Sequence, residues 1–142
     1  MTKGYYCPAG TGNAREFACP GGYYSSATGA VDISTCTICP PGTFCQGGNS
    51  DYSNVCPAPY YCPNGTTDPL PCPGGTHGKG QVGKTNYTEC SVCPAGYYCK
   101  PGSATPTPCP EGTYNPVEGR SDVWQCVLCD VRNVLFSDVL TC

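Results

Sequence analysis

Large apolar side chains are sparse along this chain and recur in one phrase, C-P-x-G-x-aromatic. It stands at Cys19-Pro-Gly-Gly-Tyr-Tyr, Cys39-Pro-Pro-Gly-Thr-Phe, Cys72-Pro-Gly-Gly-Thr-His, Cys93-Pro-Ala-Gly-Tyr-Tyr and Cys109-Pro-Glu-Gly-Thr-Tyr, with Cys56-Pro-Ala-Pro-Tyr-Tyr as a sixth copy carrying Pro59 in the Gly slot. The starting cysteines lie 16 to 21 residues apart, and self-similarity at such a period marks a repeat protein. Pro after Cys fixes one backbone angle, and the Gly that follows permits positive φ, so the chain bends sharply beside each cysteine. This pattern predicts one short hairpin or none per repeat, with the aromatic folding over the sulfurs as a miniature core. Contacts are expected mainly between neighbouring repeats, giving a rod and not a globule.

The repeats are of two kinds. In the long kind the starting Cys runs uninterrupted to a C-x-x-C pair whose second Cys opens the next repeat: Cys19 to Cys36/Cys39, Cys72 to Cys90/Cys93 and Cys109 to Cys126/Cys129. The short kind has an extra Cys six residues after the first: Cys39/Cys45, Cys56/Cys62 and Cys93/Cys99. The expected divisions are a partial short repeat at 1–18, long repeats at 19–38, 72–92 and 109–128, and short repeats at 39–55, 56–71 and 93–108. A final stretch, 129–142, is a partial module or the start of the next domain. Both ends depart from the pattern: Met1 and Thr2 stand where Cys and Pro belong, and Asp130 follows Cys129. The chain is therefore expected to begin and end inside repeats, as a segment of a longer protein would.

Composition turns the pattern into a statement about chemistry. Ile, Leu, Val and Phe number 19 of 142 residues, too few to hold an ordinary core, while Cys numbers 15 and Gly with Pro make up a quarter of the chain. Cross-links must supply what apolar burial does not, so the expectation is an oxidised, extracellular chain, secreted or on a cell surface. The formal net charge is −3 with no run of one sign, which leaves no electrostatic footprint for nucleic acid. No apolar stretch reaches the ~18 residues a bilayer span requires. Residues 1–7 lack the apolar centre of a signal peptide, so the secretion signal is expected outside this segment.

At this point a resemblance becomes specific. Cys19-Pro-Gly-Gly-Tyr-Tyr through Cys36-Thr-Ile-Cys39-Pro-Pro-Gly-Thr-Phe-Cys45 resembles the ephrin-receptor-like cysteine-rich repeat, a relative in style of the tumour-necrosis-factor-receptor module. Cys109 through Cys129 repeats the pattern, and Cys72 through Cys93 does so with His77 in the aromatic slot. The resemblance covers residues 1–129. It implies a small disulfide-rich fold: an elongated tandem array of 16–21-residue Cys-rich modules with short β-hairpins and little regular secondary structure. It also implies an extracellular, disulfide-bonded glycoprotein, and by analogy with the first loop of a receptor-type module it suggests Cys19–Cys36, Cys72–Cys90 and Cys109–Cys126. It carries over no ligand-contacting position, since such repeats serve as spacers and binding surfaces alike.

Other candidate chemistry is weaker. Three C-x-x-C pairs invite a zinc–thiolate reading, but repeat boundaries explain them better, and no metal or cofactor is expected. His77 is the only histidine and reads as a stand-in for Tyr, the ten carboxylates are scattered, and catalysis is not expected. The stretch from Gly78 to Thr85 ends in Gly-Lys-Thr and superficially resembles a phosphate-binding loop, but without its flanking strand and helix a flexible surface loop is the better reading. Asn64-Gly-Thr66 and Asn86-Tyr-Thr88 are N-glycan acceptors, and Thr105 and Thr107 lie in a Ser/Thr/Pro cluster suited to O-glycans. From Val123 to Leu140 ten of eighteen residues are apolar, and Trp124 and Phe136 are the candidates for a protein contact. Fifteen cysteines leave one over, read as a mark of a cut end or of an intermolecular bridge. The leading expectation is a structural extracellular glycoprotein forming a rod, fibre or cell-surface appendage, with self-association or other extracellular proteins as partners. The alternative is a ligand-binding ectodomain segment of a cell-surface receptor.

Overall fold

The computed structural model describes residues 2–129. Six two-residue antiparallel ladders account for its strands: β1 (Tyr5–Tyr6) pairs β2 (Phe17–Ala18), β3 (Tyr23–Tyr24) pairs β4 (Thr37–Ile38), and β5 (Tyr60–Tyr61) pairs β6 (Leu70–Pro71). Farther along, β7 (Thr76–His77) pairs β8 (Ser91–Val92), β9 (Tyr97–Tyr98) pairs β10 (Thr107–Pro108), and β11 (Thr113–Tyr114) pairs β12 (Val127–Leu128). In the stretch opened by Cys39 the hairpin shrinks to a single bridge, Thr43 to Val55. The chain is a small disulfide-rich tandem array of short hairpins, with no α-helix among the described residues.

The recurring phrase builds each hairpin in the same way. In Cys19-Pro20-Gly21-Gly22-Tyr23, the Tyr23 N–H donates to the Pro20 carbonyl (3.1 Å), and Gly22 has φ 84°, the positive angle a type II turn needs at its third residue. Where Thr replaces the first aromatic, its hydroxyl adds a second bond to the same carbonyl: Thr43 to Pro40, Thr76 to Pro73 and Thr113 to Pro110 at 2.6–2.7 Å. The strand then leaves the turn, and the next starting cysteine closes the hairpin by donating its N–H to the Gly-slot carbonyl, as in Cys39 to Gly22 (2.8 Å).

Long and short stretches differ in how the second cysteine is delivered. In the short ones it follows six residues on, giving Cys39–Cys45, Cys56–Cys62 and Cys93–Cys99. In the long ones a three-residue 3-10 turn returns it, giving Cys19–Cys36, Cys72–Cys90 and Cys109–Cys126 at separations of 17, 18 and 17. Each of these turns is capped by an Asx side chain. Asp32 Oδ1 accepts from Ser34 N, Asn86 Oδ1 from Thr88 N, and Asp122 Oδ1 from Val123 N (3.1, 3.3 and 2.8 Å). Each then ends with the Cys N–H on the carbonyl of the first turn residue.

The core is sulfur. Apart from glycines and Pro59, the buried apolar residues among those described are ten cysteines and Ala30. The aromatics that end the phrase, Tyr24, Phe44, Tyr61, Tyr98 and Tyr114, are half-buried, while Tyr23 and Tyr97 one position earlier are exposed. Two of them pair with other tyrosines, Tyr24 edge-on to Tyr52 (5.1 Å) and Tyr61 to Tyr87 (6.3 Å).

Candidate functional site: the clasp between repeats

The feature repeated at every junction is a set of backbone hydrogen bonds that joins one stretch to the next. The Gly-slot N–H donates forward to the carbonyl six residues into the following stretch: Gly22 to Cys45, Gly42 to Cys62, Gly75 to Cys99 and Gly96 to Asn115 (2.7–2.8 Å). A later glycine of that following stretch donates back to the previous starting cysteine: Gly48 to Cys19, Gly65 to Cys39, Gly83 to Cys56, Gly102 to Cys72 and Gly119 to Cys93 (2.7–2.9 Å). A third bond runs from the residue at the sixth position: Cys7 to Ala30, Ser25 to Asn49, Cys45 to Thr66, Cys62 to Lys84, Gly78 to Ser103 and Cys99 to Arg120 (2.7–3.1 Å). All the groups are main-chain, so the clasp asks only for compatible backbone angles and very small side chains.

Its tightness is set by steric room at the Gly slot. A Cβ built on Gly22 would lie 2.4 Å from the carbonyl oxygen of Gly65, and one on Gly75 equally close to that of Gly119. These partners belong to the stretch after next, so each repeat touches its next two neighbours and not only the adjacent one. Pro59 has no N–H, so the junction from the Cys56 stretch to the Cys72 stretch keeps two of the three bonds, and Pro59 packs against Gly78 instead.

The sixth position explains the two kinds of repeat. Where a short stretch places Cys45, Cys62 or Cys99, a long one places Ser25, Gly78 or Asn115 in the same slot. Ser25 and Asn115 are buried at 2% and 4% exposure. Asn115 satisfies its amide by donating to the Tyr97 carbonyl (2.9 Å) and accepting from Val117 N (3.0 Å).

The residues singled out in the sequence fall in scattered places. Cys19, Cys36, Cys72, Cys90, Cys109 and Cys126 pair as expected, Cys19–Cys36, Cys72–Cys90 and Cys109–Cys126, and the C-x-x-C cysteines are split between loops: Cys36 bonds Cys19 while Cys39 bonds Cys45. No cluster of His, Cys, Asp or Glu suited to a metal occurs among the described residues. Cys129 is also disulfide-bonded. Cys7 is buried with a free thiol. Asn64 and Asn86 are both exposed, as are Thr105 and Thr107 of the Ser/Thr/Pro cluster, whereas Thr66 is buried. Trp124 sits in the last 3-10 turn at 75% exposure, with Leu128 at 78% nearby in sequence; Phe136 lies outside the described residues. His77 is half-buried in β7, its Nδ1 accepting from Lys79 N at 3.4 Å.

The Gly78-to-Thr85 stretch needs geometry to be read. Gly78 and Gly83 flank four residues ahead of Lys84 and Thr85, which is the spacing of a phosphate-binding loop. The backbone is committed elsewhere: Gly78 N–H goes to Ser103 and Gly83 N–H to Cys56. Lys84, expected on a flexible surface loop, is buried at 3% exposure, and its ammonium donates to the Gln81 carbonyl. Burial pulls the Lys84 pKa below the usual lysine value, with the Glu89 carboxylate acting in the opposite direction.

The short pairs Cys39–Cys45, Cys56–Cys62 and Cys93–Cys99 were not assigned from sequence, although their recurring six-residue spacing was the available signal. The clasp had a signal too, in glycines three residues after each sixth-position Cys at Gly10, Gly48, Gly65 and Gly102.

No protein-family model matches the chain. A curated relative is the cysteine repeat modular protein A of Toxoplasma gondii, 34% identical over 79 residues, which cover 51% of this chain and 2% of that protein. The chain thus spans a very small part of the relative it matches, and the similarity supports a cysteine-rich repeat protein.

Proposed function

We propose that this chain is a structural segment of an extracellular glycoprotein, its stacked disulfide-bonded repeats serving as a rod, fibre or cell-surface appendage. The observation that carries the reading is the clasp. One main-chain bonding scheme joins each described stretch to the next, with close contact at the Gly slot to the one after, which is how a quasi-one-dimensional array holds its length. Six disulfides in so small an apolar complement favour an oxidising compartment. The resemblance of the repeat phrase to ephrin-receptor-like modules is consistent with this reading, and the relative's name describes cysteine repeats.

A receptor ectodomain is the second reading, favoured by Trp124 and Leu128, large apolar side chains left exposed near the last hairpin. Either surface would meet another extracellular protein or a second copy of this chain. Negative-stain electron microscopy of the oxidised protein, with small-angle scattering, separates the readings. The structural one expects rods of constant width and their end-to-end or lateral assembly. Monodisperse single particles that bind one soluble protein and never polymerise would replace it with the receptor reading.

A further inference from the structure

The two N-glycan acceptor sequences are equivalent as text, but the fold treats them differently, and we infer that Asn86 is the N-glycan site of this array while Asn64 is left largely unmodified. The inference rests on the oxidised, extracellular reading above.

Asn86 occupies the cap position of its 3-10 turn, where the other long stretches carry Asp32 and Asp122. The cap uses Oδ1, which accepts from Thr88 N at 3.3 Å. An amide in place of the carboxylate keeps this acceptor and adds Nδ2, which has no partner among the described residues. Asn86, Tyr87 and Thr88 are all exposed, and the Thr88 hydroxyl makes no hydrogen bond among the described residues. Both groups that acceptor recognition reads, the amide nitrogen and the hydroxyl two residues on, therefore face solvent. In the transfer the Asn86 Nδ2 loses a proton and forms a bond to the anomeric carbon of a lipid-pyrophosphate-linked oligosaccharide. The bond from that carbon to the phosphate oxygen breaks, and the lipid pyrophosphate leaves with its electron pair. Oδ1 is untouched, so the glycan and the cap coexist.

Asn64 lies inside a clasp. Its side chain is exposed, but Gly65 N–H is held by the Cys39 carbonyl (2.8 Å) and the Thr66 carbonyl by Cys45 N–H (2.9 Å). Thr66 is 8% exposed, with its hydroxyl donating to the Pro63 carbonyl at 2.6 Å. Once the adjoining Cys39–Cys45 and Cys56–Cys62 loops have closed, the required hydroxyl is out of reach.

The test is secretory expression of the full chain behind a cleavable leader in N-glycosylating cells, with glycopeptide mass spectrometry under non-reducing conditions. Occupancy at Asn86 several-fold above that at Asn64 is expected. In the C56S/C62S double variant, Asn64 occupancy is expected to rise towards that of Asn86. N86D keeps the cap acceptor and is expected to lose the glycan while retaining the disulfides, Cys72–Cys90 included. Equal or greater occupancy at Asn64, an unmodified Asn86, or an Asn64 unaffected by opening the loop overturns the inference. The disulfide map of the same sample tests the reading beneath it: if the disulfides are absent, that reading fails, and if they are present with Asn86 bare, only the inference fails.

Discussion

At the scale of the residue, glycine and the Asx caps do most of the specifying. Gly22 needs a positive φ and also leaves no room for a Cβ against Gly65, whereas Gly80 has φ 68° with open space around it among the described residues. An alanine at Gly80 is expected to cost about 1–2 kcal/mol from the left-handed backbone alone. At Gly22 the backbone collision adds about 1–3 kcal/mol more. Chemical denaturation of both variants checks this, and equal losses would mean that the clasp is looser than described. Glu89 shows how the same turn tunes a carboxylate. The Thr85 hydroxyl (2.6 Å) and then the Thr85 N–H (3.1 Å) donate to it, and they hold its pKa below the ordinary 4.5. Because the folded value is the lower one, the stabilisation is present above pH 4.5 and is lost as pH falls through the folded value. A carbon-detected NMR titration is expected to place the Glu89 midpoint below 4.5, and T85A to move it upward.

At the scale of the element, the unit is a turn, a two-residue ladder and a disulfide, and the sixth position decides which disulfide is used. Met1 stands six residues before Cys7, the separation of the three short loops. The variant M1C is expected to bond to Cys7, removing the free thiol and raising stability by about 2 kcal/mol through loop closure. Thiol labelling and a melt measure both, and a Cys7 that still labels fully would contradict the shared register. Short hairpins and their turn residues were legible in the sequence, because Pro and Gly after each Cys fix the turn, but which repeats carry a full ladder was not: Cys39-Pro-Pro-Gly yields a single bridge and Cys56-Pro-Ala-Pro a full hairpin. Lys84 was misread because the sequence does not show the neighbouring repeat, whose Cys62 N–H bonds the Lys84 carbonyl.

At the scale of the whole molecule, the structure is a ladder whose rungs are sulfur and whose rails are main-chain bonds. Nine buried disulfide-bonded cysteines in place of an aliphatic core tie the stability of the array to its oxidation state. The clasp was hidden in the sequence because it is made by backbone groups, and only its glycines leave a trace. Non-reducing peptide mapping by mass spectrometry bears most directly on the account. It predicts Cys19–Cys36, Cys39–Cys45, Cys56–Cys62, Cys72–Cys90, Cys93–Cys99 and Cys109–Cys126, each loop closed within its own repeat. Bonds that cross between repeats, or cysteines recovered mainly as free thiols, would contradict it.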